Sequence, residues 1–155
     1  MMSNCKFCDR ADELKKKFIP IAQLEASYLC LFKNQYYPGR CIIVANTHHK
    51  NLHELPPGEQ EVLFRDLAIA TKALQNVTQA DSISLSDFGD ESPHFHFHIA
   101  SKHRNGFNWG NPYYSEPIGE KYLDDESFIK VSVHIQKELL QIADPARVKI
   151  IPVTG

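Results

Sequence analysis

At 155 residues, 43% of them hydrophobic and 23% charged, the chain is long enough for one domain to bury a core without disulfide staples, and it lacks both the polar bias of a disordered chain and the apolar bias of a membrane protein. A formal charge of −2 excludes the broad cationic field that duplex nucleic acid requires, but leaves room for one nucleotide held by a few local donors. The N-terminal stretch has no apolar signal-peptide core, and the four cysteines, Cys5, Cys8, Cys30 and Cys41, read better as thiols or metal ligands than as disulfides, so the expected compartment is the cytoplasm and the expected partners include neither membrane nor nucleic-acid polymer.

Lys15-Lys16-Lys17 reads as a solvated basic face. The first strand pair is Tyr28 to Lys33 and Cys41 to Ala45, both β-branched or aromatic, joined by the turn-rich Asn34-Gln35-Tyr36-Tyr37-Pro38-Gly39. Cys30 and Cys41 fall inside these strands as small buried apolar residues. Prolines and an acid in Leu55-Pro56-Pro57-Gly58-Glu59 start a long amphipathic helix carrying Val62, Leu63, Leu67, Ala70, Leu74 and Val77. Residues 82–87 and 94–100 alternate as a second strand pair around the loop Phe88 to Pro93. Residues 104–119 form a Gly, Asn and Pro loop whose Phe107, Trp109, Tyr113 and Tyr114 suit either closure over a base or, preferentially, a subunit interface. A helix over 124–143, capped by Asp124 or Asp125, stops before Asp144-Pro145. His103 and His134 receive no role. The order predicts an α+β fold: an antiparallel sheet with one long helix packed on it and a C-terminal helix, in a single domain over 1–155.

The chemistry concentrates at His94-Phe95-His96-Phe97-His98-Ile99-Ala100. In a strand, positions i, i+2 and i+4 share a face, so Phe95, Phe97 and Ile99 can pack as core while three imidazoles line the other side. A neutral imidazole is a competent nucleophile toward phosphorus. Its second nitrogen should donate to a backbone carbonyl that fixes the tautomer.

This motif resembles the signature of the histidine-triad (HIT) superfamily of nucleotide hydrolases and transferases. The likeness extends from about residue 4 to 101, through Phe32-Lys33-Asn34-Gln35-Tyr36-Tyr37-Pro38-Gly39, Cys41-Ile42-Ile43-Val44 and Asn51-Leu52, leaving 102–155 as a C-terminal extension. Cys5-Lys6-Phe7-Cys8 is similar to the Cys-x-x-Cys of zinc-containing bacterial members. The resemblance implies that His96 is the nucleophile, forming a nucleotidyl-histidine intermediate on a phosphoric anhydride or phosphoramidate such as a dinucleoside polyphosphate. It implies that His98 contacts the phosphate, Asn34 the ribose hydroxyls and Ser92 the phosphate or leaving group. It also implies a structural zinc on Cys5, Cys8, His48 and His94, with His49 as the competing ligand, and a homodimer joined through its sheets. Two thiolates and two imidazoles fill a tetrahedral shell with no open position.

Three departures from the family pattern stand out. Arg40 replaces the histidine that usually follows Pro-Gly, a permanent cation where a buried polar partner is expected. The loop Asp87 to Pro93 is acidic, and Asp90 or Glu91 facing the site would oppose a polyphosphate. Ser101-Lys102-His103-Arg104 lacks the usual Pro-Arg ending but keeps cations. Two alternatives follow: a zinc-stabilised nucleotide-binding module without turnover, and a catalytic metal held openly by His94, His96 and His98.

Overall fold

The structure, a computed structural model, describes residues 5–113 and 119–155. Its strands are β1 (Phe18–Gln23), β2 (Ser27–Phe32), β3 (Cys41–Ala45), β4 (Ser82–Ser86), β5 (His96–Lys102) and β6 (Lys149–Ile150). They form one sheet in the order β4-β5-β3-β2-β1-β6, each pairing antiparallel. The helices are a short α1 (Asp12–Lys15), a long α2 (Pro57–Thr78) and a C-terminal α3 (Asp125–Ile142). The expected α+β architecture is therefore the observed one, and the β2–β3 and β4–β5 pairs lie where alternation puts them.

β1 and β6 escape a reading by pattern. Pro20 interrupts β1, and the register shifts between Pro20 and Ala22. β6 pairs only with Ala22 and Gln23, so Pro20 lies where a missing N–H costs no neighbouring strand a ladder bond.

Every residue of β2 and β3 is buried, and the two-residue period divides them between two faces. Leu29, Leu31, Cys41 and Ile43 join Ile21 and Ile99 under α2 and α3, which supply Leu67, Leu74, Ile135 and Leu139. Each fully buried aliphatic side chain contributes about 1.5–3 kcal/mol. On the other face Tyr28, Cys30, Phe32, Ile42 and Val44 are covered by Cys5, Phe7 and Phe18. Both long helices thus occupy one side, and the N-terminal segment roofs the other.

Two polar clamps secure the layers. Buried Asp66 of α2 accepts from Ser27 Oγ at 2.7 Å and from the Ala26 N–H at 2.9 Å. Gln136 of α3 donates through Nε2 to the carbonyls of Ile21 and Ile151, at 3.0 and 2.8 Å. Between β2 and β3 the chain turns at Gly39, whose φ of +71° excludes most side chains and whose absent Cβ would fall 2.6 Å from Thr78 Cγ2. The Gly39 N–H donates to Gln35 Oε1 at 2.7 Å. That turn sets Arg40 at the entrance to β3.

Candidate functional site: a Cys–His cluster beside a histidine-lined cavity

The N-terminal segment is folded by its own backbone. Asp9 N–H donates to the Cys5 carbonyl at 3.0 Å and Ala11 N–H to that of Lys6 at 3.0 Å, which turns both thiols inward. From the sheet, His94 precedes β5, and His48 follows β3. A bond from Phe95 N–H to the His49 carbonyl, 2.6 Å, draws the two histidine segments together. Cys5 Sγ lies 3.3 Å from His94 Nδ1, and Cys8 Sγ lies 3.3 Å from His48 Nδ1 and 3.5 Å from His94 Nδ1. All four donor atoms fall within 4.8 Å of one another. His48, not His49, occupies the fourth corner.

These residues fit a tetrahedral metal. Donors 3.3–3.5 Å apart match the edge expected for zinc bonds of about 2.3 Å to sulfur and about 2.0–2.1 Å to nitrogen. His94 Nε2–H donates to the Ala45 carbonyl at 2.8 Å, so Nδ1 carries the lone pair that faces the thiols, the outer-shell arrangement typical of a ligating imidazole. Burial, then the charges of its histidine neighbours, holds the His94 ring below the usual histidine range and keeps it neutral. Burial and the adjacent Cys5 push the Cys8 thiol up to about 11, a cost that a divalent cation between the sulfurs would reverse. His96 and His98 stand outside this cluster. An open three-histidine metal site is thus disfavoured by geometry, because the first imidazole turns to the cysteines.

The other two imidazoles line a cavity of about 230 Å³ on the same sheet face. His96 is buried, 3% exposed, and its Nδ1–H donates to the His94 carbonyl at 2.6 Å. That bond leaves the lone pair on Nε2. Phe7 lies across the His96 ring with centroids 5.2 Å apart and planes at 30°. His98, 5.4 Å from His96 between ring centroids, has its Nδ1 3.4 Å from the Tyr113 hydroxyl. Burial, reinforced by His96, Arg40 and Lys17, pushes the His98 imidazole down to about 3. His98 is neutral at physiological pH.

Asn34 and Ser92 also reach the cavity. The Asn34 amide is also a structural tie. Its Oδ1 accepts from Tyr36 N–H at 3.1 Å and Lys121 N–H at 3.0 Å, and its Nδ2 donates to the Gly119 carbonyl at 3.5 Å. It staples the segment before α3 to the β2–β3 turn. Arg40 is buried with its guanidinium 3.9 Å from the Phe32 ring centroid, and it lines the cavity. Of the acidic loop, Glu91 faces the cavity. The Asp87 carboxyl is raised by burial, an effect opposed by His96 and by the Gly89 N–H.

Two sequence expectations change. Lys15 pairs with Asp12 in solvent at 2.7 Å, but Lys16 and Lys17 line the cavity; a charge run carries no record of which residue a short helix will turn inward. With Arg40 they set three cations against the carboxylates of Glu91 and Glu120. Phe107 and Tyr113 pack on Tyr37 within the chain rather than forming an outer surface, and Trp109 lies against the Arg104 guanidinium. Tyr114 lies outside the described residues. Phe7 has no role in the sequence reading, although its place between two metal-type cysteines is a usable signal.

The structure is thus an antiparallel sheet carrying a His-x-His-x-His run beside a Cys–His cluster, with a long helix and a C-terminal helix on the opposite face. No family model matches the sequence, and no curated protein matches it. Among solved structures, the chain is similar to a histidine triad (HIT) protein from Sinorhizobium meliloti 1021, with a TM-score of 0.74 and 21% identity over 82% of this chain and 93% of that one. A hypothetical histidine triad nucleotide-binding protein from Sulfolobus tokodaii gives a TM-score of 0.67 at 15% identity, covering 88% and 93%. A zinc-bound histidine triad family protein from Mycobacterium smegmatis gives 0.59 at 18%, covering 89% and 94%. The chain has the fold of this superfamily.

Proposed function

We propose that the protein is a nucleotide hydrolase or nucleotidyl transferase that acts on a phosphoric anhydride or phosphoramidate through a covalent nucleotidyl-His96 intermediate. The observation that carries this reading is the 2.6 Å bond from His96 Nδ1–H to the His94 carbonyl, which leaves Nε2 as the unprotonated nitrogen of a ring lining the cavity. Nε2 forms a bond to the nucleotide phosphorus as the bond to the leaving oxygen or nitrogen breaks. The leaving group departs with that electron pair and takes a proton from solvent. Water, giving up a proton, or an acceptor hydroxyl then cleaves the P–N bond and returns His96 to its starting state.

His98, neutral, acts as a hydrogen-bond donor to a phosphate oxygen, while Arg40, Lys16 and Lys17 supply the positive charge. Ser92 hydrogen-bonds the phosphate or leaving group, and Asn34 turns its Nδ2, whose bond to the Gly119 carbonyl is a long 3.5 Å, toward the ribose. Cys5, Cys8, His48 and His94 hold a structural zinc, which supplies rigidity and no open coordination position. Unbridged cysteines suit a reducing compartment, so we place the protein in the cytoplasm; no helix among the described residues is long and apolar enough to cross a membrane. A homodimer is supported by the outer position of β4 and by Leu85 on it, 44% exposed.

Brief incubation with a dinucleoside polyphosphate or an adenosine phosphoramidate, followed by intact-mass measurement, should show a nucleotidyl mass gain on wild type and none on His96→Ala. The alanine variant should keep its fold and lose turnover by at least about a thousandfold. Glu91 on the cavity wall favours the second reading, a binding module without turnover. That reading wins if nucleotide raises the Tm but wild type and His96→Ala release product at the same rate.

A further inference from the structure

We infer that Phe7 is a positioning residue for His96, with the Cys–His cluster serving to hold its ring in place. This inference rests on the nucleophilic role of His96 proposed above. Phe7 lies between Cys5 and Cys8 in sequence, is 6% exposed, and belongs to the cavity wall. Its ring lies on His96 at 5.2 Å and 30° and touches His94 at 5.5 Å. Phe18, nearly parallel at 6.1 Å, supports it. A histidine ring is fixed by two constraints, the hydrogen bond at one nitrogen and the contacts on its faces. The His94 carbonyl supplies the first, and Phe7 supplies the second. Without the aromatic face, the imidazole gains room to rotate about its outer torsion, which is broad and roughly two-fold. Such a flip would put Cδ2–H in place of Nδ1–H against the His94 carbonyl and carry Nε2 from its place in the cavity, so the bond that fixes the tautomer would be lost. Metal on Cys5 and Cys8 restrains both neighbours of the dipeptide Lys6-Phe7, so the cluster acts on the reactive ring through this side chain as well as through His94.

The test uses zinc-loaded protein labelled with ¹⁵N-histidine, with the His96 ring-nitrogen shifts as the first readout and steady-state kinetics as the second. Wild type should show a single Nδ1-protonated tautomer. Phe7→Ala should bind zinc as wild type does yet show mixed tautomers, with kcat lower by about tenfold or more and KM little changed. Phe7→Tyr should restore both. Phe7→Leu, which keeps much of the volume without the ring face, takes the place of the alanine variant should that fail to fold. A fully zinc-loaded Phe7→Ala with a wild-type His96 spectrum overturns the inference. So does loss of zinc in both the alanine and tyrosine variants, because Phe7 would then serve the cluster alone. If wild type turns over no nucleotide, the functional proposal fails while the tautomer readout still decides the role of Phe7.

Discussion

His98 shows how one side chain is tuned by its surroundings. Burial is the largest influence on it, and the positive fields of His96, Arg40 and Lys17 act in the same direction, so the ring protonates only near pH 3. An unfolded histidine protonates near pH 6.5. The folded value is depressed, so the neutral ring's contribution to stability is fully present above about pH 6.5 and is lost as pH falls toward 3. Thermal melts of wild type and His98→Gln should therefore converge as pH drops from 7 to 4; a constant gap in Tm would contradict a buried neutral imidazole. Lys17 offers a second residue-level test. Lys17→Glu reverses a charge on the cavity wall, and KM for a polyphosphate substrate should rise by about three- to tenfold at low ionic strength, with less effect at high salt. The triad and the cysteine pair were legible in the sequence because each is defined by spacing along the chain. The inward turn of Lys16 and Lys17 was not, because nothing in a run of three lysines distinguishes the residue at a cavity from the one in solvent.

At the level of elements, the N-terminal segment contributes little regular structure, a four-residue helix with no buried residue, yet it packs over the sheet's second face. It owes that position to Cys5, Phe7 and Phe18 packing on Tyr28, Cys30 and Phe32 and to the Cys–His cluster. Metal-site formation is coupled to folding. Cys5→Ala or Cys8→Ala should lose bound zinc by elemental analysis and lower the Tm by more than about 5 °C, while far-ultraviolet circular dichroism stays close to wild type. An unchanged melt with no metal in wild type would remove the cluster's structural role. The two long helices were the most legible elements: α3 begins beside Asp124, whose side chain accepts from Ser127 N–H at 2.7 Å, and α2 carries its proline at the first turn. β1 and β6 were silent for opposite reasons, one because a proline breaks its pattern, the other because two residues make no pattern.

Across the whole molecule, the sheet keeps core and chemistry apart. α2 and α3 close one face as core, and the other face is left for the Cys–His cluster and the cavity. β4 ends the sheet on the side of β5, presenting Leu85 to solvent. If this edge joins two copies, Leu85→Glu should convert a dimer to a monomer in sedimentation velocity without lowering helix content; a wild-type monomer would reject the assembly. Alternation and helical period were enough to read the α+β class, the two central strand pairs, both long helices and the shared face of His94, His96 and His98, because those features depend on residues a few positions apart. Only the tertiary structure decided that His48 rather than His49 meets the cysteines, that the His94 carbonyl orients His96, and that Phe7, Arg40, Lys17 and Tyr113 enclose the His96 and His98 rings. Those contacts join residues as far apart as Cys5 and His94, 89 positions along the chain, and no local pattern encodes which distant side chains the folding of a sheet will bring together.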